Sequence, residues 1–157
     1  MIELRPVGQV RGGRTEPLDD GWDAEVCEIV LDDTRFAPDA LAGLEDFSHL
    51  VVVYHFHLVA EDEVQTGARH PRGRADWPLV GIFAQRGRVR PNRLAVSTCR
   101  VLGVEGLTVR VQGLDAVDGT PVLDLKPHVE EFDPRGEVRE PAWMRELMAG
   151  YWEGPPT

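Results

Sequence analysis

Apolar and polar residues in this chain fall mostly into short stretches with the two-residue period of a strand. Only one stretch carries the longer period of a helix. Residues 4–11 and 24–32 read as strands, the second with Val26, Cys27, Ile29 and Leu31 among polar positions. Leu50–Ala60 is a β-branched and aromatic run (Val51, Val52, Val53, Tyr54, Phe56, Leu58), too apolar for a sheet edge. Val80–Ala84 predicts a short strand, and Leu94–Val104 with Leu107–Leu114 predicts a hairpin across Gly103-Val104-Glu105-Gly106. Asp118-Gly119-Thr120-Pro121 marks a turn, followed by a last strand at Val122–Leu125. Ala37–Leu44, with Pro38 near its start, predicts a short helical turn. Pro141–Gly150 predicts a helix: proline opens it, Trp143, Met144, Leu147 and Met148 share one face, and Gly150 stops it. Many short strands and one terminal helix predict a mainly β chain. The expected architecture is a compact single-domain β-barrel over residues 1–157, with short helices and a C-terminal amphipathic helix.

Composition narrows this picture. With 42 % apolar and 28 % charged residues the chain can build a core, and 16 Gly with 12 Pro favour many turns between short elements. Cys27 and Cys99 stand far apart in apolar stretches and read as buried free thiols. The longest uncharged run, Phe47–Ala60, is too short for a bilayer, which needs about 20 residues. Met1-Ile2-Glu3-Leu4-Arg5 lacks the apolar core of a signal peptide, so the expectation is a soluble, cytoplasmic protein without a membrane partner.

The net charge of −10 argues by itself against a nucleic-acid partner. Its distribution reverses that argument. Between residues 69 and 100 stand Arg69, Arg72, Arg74, Arg86, Arg88, Arg90, Arg93 and Arg100 against one acid, Asp76. Screening cuts distant charges off beyond about 8–10 Å, so the local cluster outweighs the total. Arginine suits forked contacts with phosphates and stacking on bases, although pairing with the surplus acids elsewhere would explain the same residues.

Candidate chemistry is sparse. No Gly-rich nucleotide loop and no serine nucleophile elbow occur. His55-x-His57 on the predicted strand would set two imidazoles on one face, with Glu61 following, as in the first half of a cupin metal site. The second half is missing, and no metal site is assigned. Asp115, Asp118, Asp124 and Lys126 crowd one turn-strand-turn unit, where they either bind hydroxyls and amines of a ligand or serve ordinary turn chemistry.

One ordered succession is more specific. Leu44-Glu45-Asp46-Phe47-Ser48-His49-Leu50 is followed by Phe56-His57, by Gly81-Ile82-Phe83-Ala84-Gln85-Arg86, by Arg90-Pro91-Asn92 and by Ser97. Then come Gly113-Leu114-Asp115, Asp118-Gly119-Thr120-Pro121 and Leu123-Asp124-Leu125-Lys126-Pro127. Over about residues 5–132 this resembles the TsaA-like family, also called TrmO-like or VirR, whose characterised members are S-adenosylmethionine-dependent methyltransferases of tRNA. The resemblance implies a β-barrel unlike the usual methyltransferase sheet, working as a homodimer. It also implies methylation of N6 of a threonylcarbamoyl-bearing adenosine at position 37, next to the anticodon. It places S-adenosylmethionine against His57 and Leu58, Arg86, Val96, and Gly113, Leu114 and Asp115; Asp20, Gly21 and Trp22 match a cofactor-contacting stretch by position. The chain departs from the family pattern at Arg93-Leu94-Ala95, at His128 where the family has Tyr, and at His70-Pro71-Arg72-Gly73.

For methyl transfer to a carbamoylated amine, whose lone pair is delocalised, a proton acceptor is expected. Asp118 is the first choice and His128 the second, with Lys126 orienting a carbonyl or carboxylate of the base. Arg72, Arg88, Arg90 and Arg93 are assigned to phosphates of the anticodon loop. The alternatives are the same fold and cofactor with another RNA or small-molecule substrate, a cupin-like metal-binding barrel, and a cofactor-sensing binding module.

Overall fold

The computed structural model describes residues 1–155; the last two positions of the expected span lie outside them. Eight strands form: β1 (Gly8–Arg11), β2 (Val26–Leu31), β3 (His49–His55), β4 (Ala68–Arg69), β5 (Val80–Gly81), β6 (Leu94–Glu105), β7 (Thr108–Gln112) and β8 (Pro121–Pro127). Six of them close a barrel in the order β1-β2-β7-β6-β3-β8, every neighbouring pair antiparallel, while β4 and β5 pair separately. The mainly β barrel expected from the alternation is the fold observed.

The alternation works because a closed sheet has one inside. Val10, Ile29, Leu50, Val52, Val109, Val111 and Val122 come from five of the barrel strands and are fully buried. Each such side chain contributes roughly 1.5–3 kcal/mol over leaving it in water. Ala95, Ser97 and Cys99 point inward from β6 while Val96, Thr98 and Arg100 between them are exposed. The two cysteines are free and buried, and burial raises each thiol pKa to about 12.

Several local expectations are corrected. Residues 37–44 make successive tight turns (Ala40 to Ala37, Leu44 to Leu41), with a 3-10 turn at Leu44–Asp46. The run Leu50–Ala60 leaves the sheet at His55: the His57 amide bonds back to the His55 carbonyl, and Val59 to Phe56. His55 and His57 therefore do not share a strand face. Only Val80–Gly81 of the predicted 80–84 strand is extended, because Ile82–Ala84 coils into a 3-10 turn. The terminal helix α1 is Ala142–Met148, with Pro141 as its N-cap and Gly150 beyond its end at φ +75°. Trp143, Met144, Leu147 and Met148 are its partly buried face, as the pattern predicts.

Strand β6 has two different partners along its length. Residues 94–100 pair with β3, and residues 100–105 pair with β7. Beyond Gln112 the chain leaves the sheet through Gly113, at φ +81°, a conformation that favours glycine. The strand-free flank of 94–99 and the 113–117 loop lie at the same end of the barrel as the β3 terminus.

Candidate functional site

At that end Tyr54, the last inward residue of β3, donates its hydroxyl to Asp115 Oδ1 and to the Asp115 carbonyl, both at 2.9 Å. Asp115 arrives there because the Gly113 amide bonds to the Glu25 carbonyl at 2.9 Å and Leu114 is buried in the core. Burial, and after it the Asp115 charge, pushes the Tyr54 phenol well above its ordinary pKa, so it stays a donor.

The loop carrying Asp20, Gly21 and Trp22 is held by a residue that sequence reasoning passed over. Arg14 donates to the Asp20 carbonyl at 3.0 Å, to the Gly21 carbonyl at 2.6 Å and to Glu25 Oε1 at 3.1 Å. Its guanidinium lies 3.8 Å from the Trp22 ring centroid, and the indole is buried. A fork that satisfies three acceptors at once is a property of arginine. In the sequence Arg14 follows Gly12-Gly13 and carries no pattern of its own.

Arg86 is exposed and donates to the Val96 carbonyl at 3.2 Å. Its position is set by its neighbour: Gln85 is buried, accepts from Arg69 at 3.1 Å and donates to the Val80 carbonyl at 3.0 Å. Arg86 also acts electrostatically on both Tyr54 and Tyr151, the two phenols bonded to Asp115. His57 turns toward the 118–119 turn, where a methyl built on Gly119 would lie 3.9 Å from its Nε2. Leu58 and Val96 are exposed.

The predicted cofactor residues thus gather around one barrel end, tied through Asp115, Arg86, Val96 and the Asp20–Trp22 loop. The three proposed catalytic residues do not gather. Asp118 sits at this end, where Oδ1 accepts from the Gly12 amide at 2.8 Å. His128 lies past the far end of β8, roughly 20 Å along the strand, with its amide on the His49 carbonyl and its ring 3.4 Å from Asp133. Lys126 faces outward between them and pairs with Asp124 at 3.3 Å.

The four arginines assigned to phosphates all have partners within the chain. Arg72 pairs with Asp20 at 3.0 Å, and Arg88 approaches Asp19 at 3.9 Å while donating to the Pro17 carbonyl. Arg90 donates to the Gln85 carbonyl and Arg93 to that of Val59. Arg72 and Arg93 have left-handed backbones, at φ 52° and 49°, which bulky residues adopt under constraint. Among the described residues no three His, Cys, Asp or Glu side chains gather as a metal site, and no helix is long and apolar enough to cross a membrane. A surface groove beside β1, lined by Pro6, Gly8, Gln9, Val30 and Asp32, includes none of the predicted site residues.

The donor set at the barrel end suits an adenosyl amino acid. It offers a carboxylate for an ammonium or a ribose diol, a strand flank for the hydrogen-bonding edge of a base, and exposed Leu58 and Val96 for apolar contact.

Comparison with known proteins agrees in direction. The profile of the tRNA-methyltransferase O N-terminal domain matches residues 15–134. The chain is similar to a probable S-adenosyl-L-methionine-binding protein of Pyrococcus abyssi, 34 % identical over 148 residues, covering 88 % of this chain and 74 % of that one. It is 34 % identical over 102 residues to the human tRNA (adenine(37)-N6)-methyltransferase, covering 65 % of this chain but 23 % of the human protein. The crystal structure of TrmO from Pseudomonas aeruginosa superposes with a TM-score of 0.72 at 27 % identity, over 91 % of this chain and 62 % of that one. The chain spans less than two thirds of the length of the human and Pseudomonas proteins.

Proposed function

The chain belongs to the tRNA-methyltransferase O N-terminal domain family, and we propose that it is an S-adenosylmethionine-dependent methyltransferase acting on N6 of adenosine 37 of tRNA. The reading carries over the threonylcarbamoyl group on that base, a homodimer and a cytoplasmic site of action. The observation that carries it is the convergence of Asp115, Arg86, Val96, His57 and the Arg14-bound Asp20–Trp22 loop at one barrel end. Relatives of similar sequence that are named for binding this cofactor and for this reaction support it.

When bound, S-adenosylmethionine supplies a methyl group made electrophilic by a positive sulfur. The chain's own part is positioning and proton removal. Asp115, with Tyr54 fixing one oxygen, would hold a polar group of the cofactor, and Arg86 with Val96 would line the same site. Asp118 is the better placed proton acceptor: one oxygen is anchored by the Gly12 amide, which leaves Oδ2 to accept, and the adjoining Gly119 lies next to His57. His128 is too far along β8 to share that task, and Lys126 would meet a substrate group only on the outer face of the barrel. Placing the three together in one catalytic group is therefore set aside.

The homodimer draws support from the surface. Leu58, Phe83 and Val96 are exposed on segments that carry or receive Arg86 and Arg93. RNA binding by Arg72 and Arg88 requires phosphates to displace Asp19 and Asp20 from them.

The test has two stages. Calorimetric titration with S-adenosylmethionine should give micromolar binding, about −8 kcal/mol. Methyl transfer is then measured by mass spectrometry on tRNA with and without threonylcarbamoyl at adenosine 37. Transfer confined to the modified tRNA, with binding that weakens steeply in salt, is the expected result. Cofactor binding without transfer to either tRNA moves the substrate elsewhere, and no cofactor binding by folded protein overturns the reading.

A further inference from the structure

Residues after Pro134 lie beyond the family match, yet the C-terminal segment returns to the barrel end just described. The amides of Gly21 and Trp22 donate to the Tyr151 carbonyl at 2.8 and 3.4 Å, and the Asp23 amide to the Trp152 carbonyl at 2.8 Å. Glu146 of α1 accepts from the Trp77 indole at 3.0 Å. The Tyr151 hydroxyl donates to Asp115 Oδ2, the oxygen that Tyr54 does not use.

We infer that the C-terminal segment is part of the cofactor site, with Tyr151 as its positioning residue: the hydroxyl fixes the Asp115 carboxylate and the backbone fixes the Asp20–Trp22 loop. This rests on the cofactor reading above. The physical reason is the geometry of a carboxylate. A group held through one oxygen rotates about its Cβ–Cγ bond and must be ordered again when a ligand arrives. Held through both oxygens by phenols from two elements, Asp115 presents its remaining lone pairs in one direction. Burial, and after it the Asp115 charge, raises the Tyr151 phenol far above its ordinary pKa, so the bond persists across the working pH range. Removal of the hydroxyl by Tyr151→Phe leaves the ring packed against Trp152, whose centroid is 4.9 Å away.

The experiment is a double-mutant cycle on the full chain, read as the dissociation constant of S-adenosylmethionine. Tyr151→Phe, Asp115→Asn and the double variant are titrated beside the parent, with near-UV circular dichroism and melting to confirm folding. Tyr151→Phe should weaken binding about tenfold, the loss of one charge-assisted hydrogen bond. In the Asp115→Asn background the same change should add nothing, because the two act through one contact. Equal losses in both backgrounds would mark a merely structural tyrosine and overturn the inference. So would Tyr151→Phe binding within twofold of the parent, a comparison that stands even where Asp115→Asn fails to fold. Tighter binding by Tyr151→Phe would overturn it in the opposite sense and mark the tail as a competitor of the cofactor. Failure of the parent chain to bind overturns the cofactor reading itself, and is seen before any variant is compared.

Discussion

Arg14→Ala tests whether the Asp20–Trp22 loop is held by one side chain. The Arg14 side chain is 8 % exposed, and its guanidinium serves two backbone carbonyls, the Glu25 carboxylate and the Trp22 ring. A hydrogen bond from a charged donor contributes about 1.5–3 kcal/mol, and a cation over a ring about 0.5–1. The released groups recover part of this, since Glu25 is 28 % exposed and the loop carbonyls can be rehydrated. The expected net loss is about 3 kcal/mol, or about 6–12 °C in Tm for a chain of this size. Arg14→Lys keeps the charge but cannot reach all three acceptors, so it should recover only about a third of the loss. Urea unfolding followed by far-UV circular dichroism gives the stability, and tryptophan emission, compared with that of a Trp22→Phe variant to subtract Trp77, Trp143 and Trp152, gives the state of Trp22, which is 3 % exposed. The alanine variant should show red-shifted emission before the main transition, because the loop loosens first. A loss below about 0.5 kcal/mol with unshifted emission would refute the reasoning, and full recovery by lysine would refute the role of the fork.

Arg86→Ala should weaken S-adenosylmethionine binding by about tenfold with little change in melting, since Arg86 is exposed and bonds to the Val96 carbonyl alone among the described hydrogen bonds; an unchanged dissociation constant removes it from the site. The thiols of Cys27 and Cys99, raised from 9.0 to about 12 by burial, stabilise the fold fully below pH 9. The folded form keeps its protons as the unfolded form loses them, so unfolding free energy should fall from pH 9 toward 12, by up to about 1.4 kcal/mol per pH unit per thiol. Urea titrations across that range check it, and an alkaline slope unchanged in Cys27→Ala/Cys99→Ala would refute it. At Gly8 an added methyl would overlap the Val30 carbonyl, so Gly8→Ala should lose about 1–3 kcal/mol; a melting temperature equal to the parent's would show that β1 yields there.

The barrel was legible because its signal is local. Alternation along β2, β6 and β7 reports which side chains meet inside, and the turn residues report where each strand ends. The Pro141–Gly150 helix was legible for the same reason. What escaped was what distance in sequence hides. Nothing in residues 50–60 shows that the sheet stops at His55, because Phe56, His57 and Leu58 continue the apolar run. Most of the proposed cofactor residues stand in ordered motifs and Asp20–Trp22 match by position only, whereas Arg14, Tyr54 and Tyr151 carry no motif and matter only once the chain is folded. The arginine cluster was visible as charge, but its partners Asp19 and Asp20 lie about fifty residues upstream of Arg72, on a loop whose path the sequence does not give.

The seam where the barrel closes has a kinetic consequence. β1 and β8 meet over two register pairs, Gly8 with Val122 and Gln9 with Pro121, helped by amide bonds from Val7, Val10 and Gly119. More than a hundred residues separate its two sides, so its closure entropy is large and its formation is late in any folding route. A pairing that forms late and spans few residues also opens early in native-state fluctuations. The amides of Val10 and Gly119 should therefore exchange with solvent before those of the β3–β6 ladder. Gly119 adjoins both His57 and Asp118, so the least persistent part of the ring lies beside the residues proposed to face the cofactor and to take the proton.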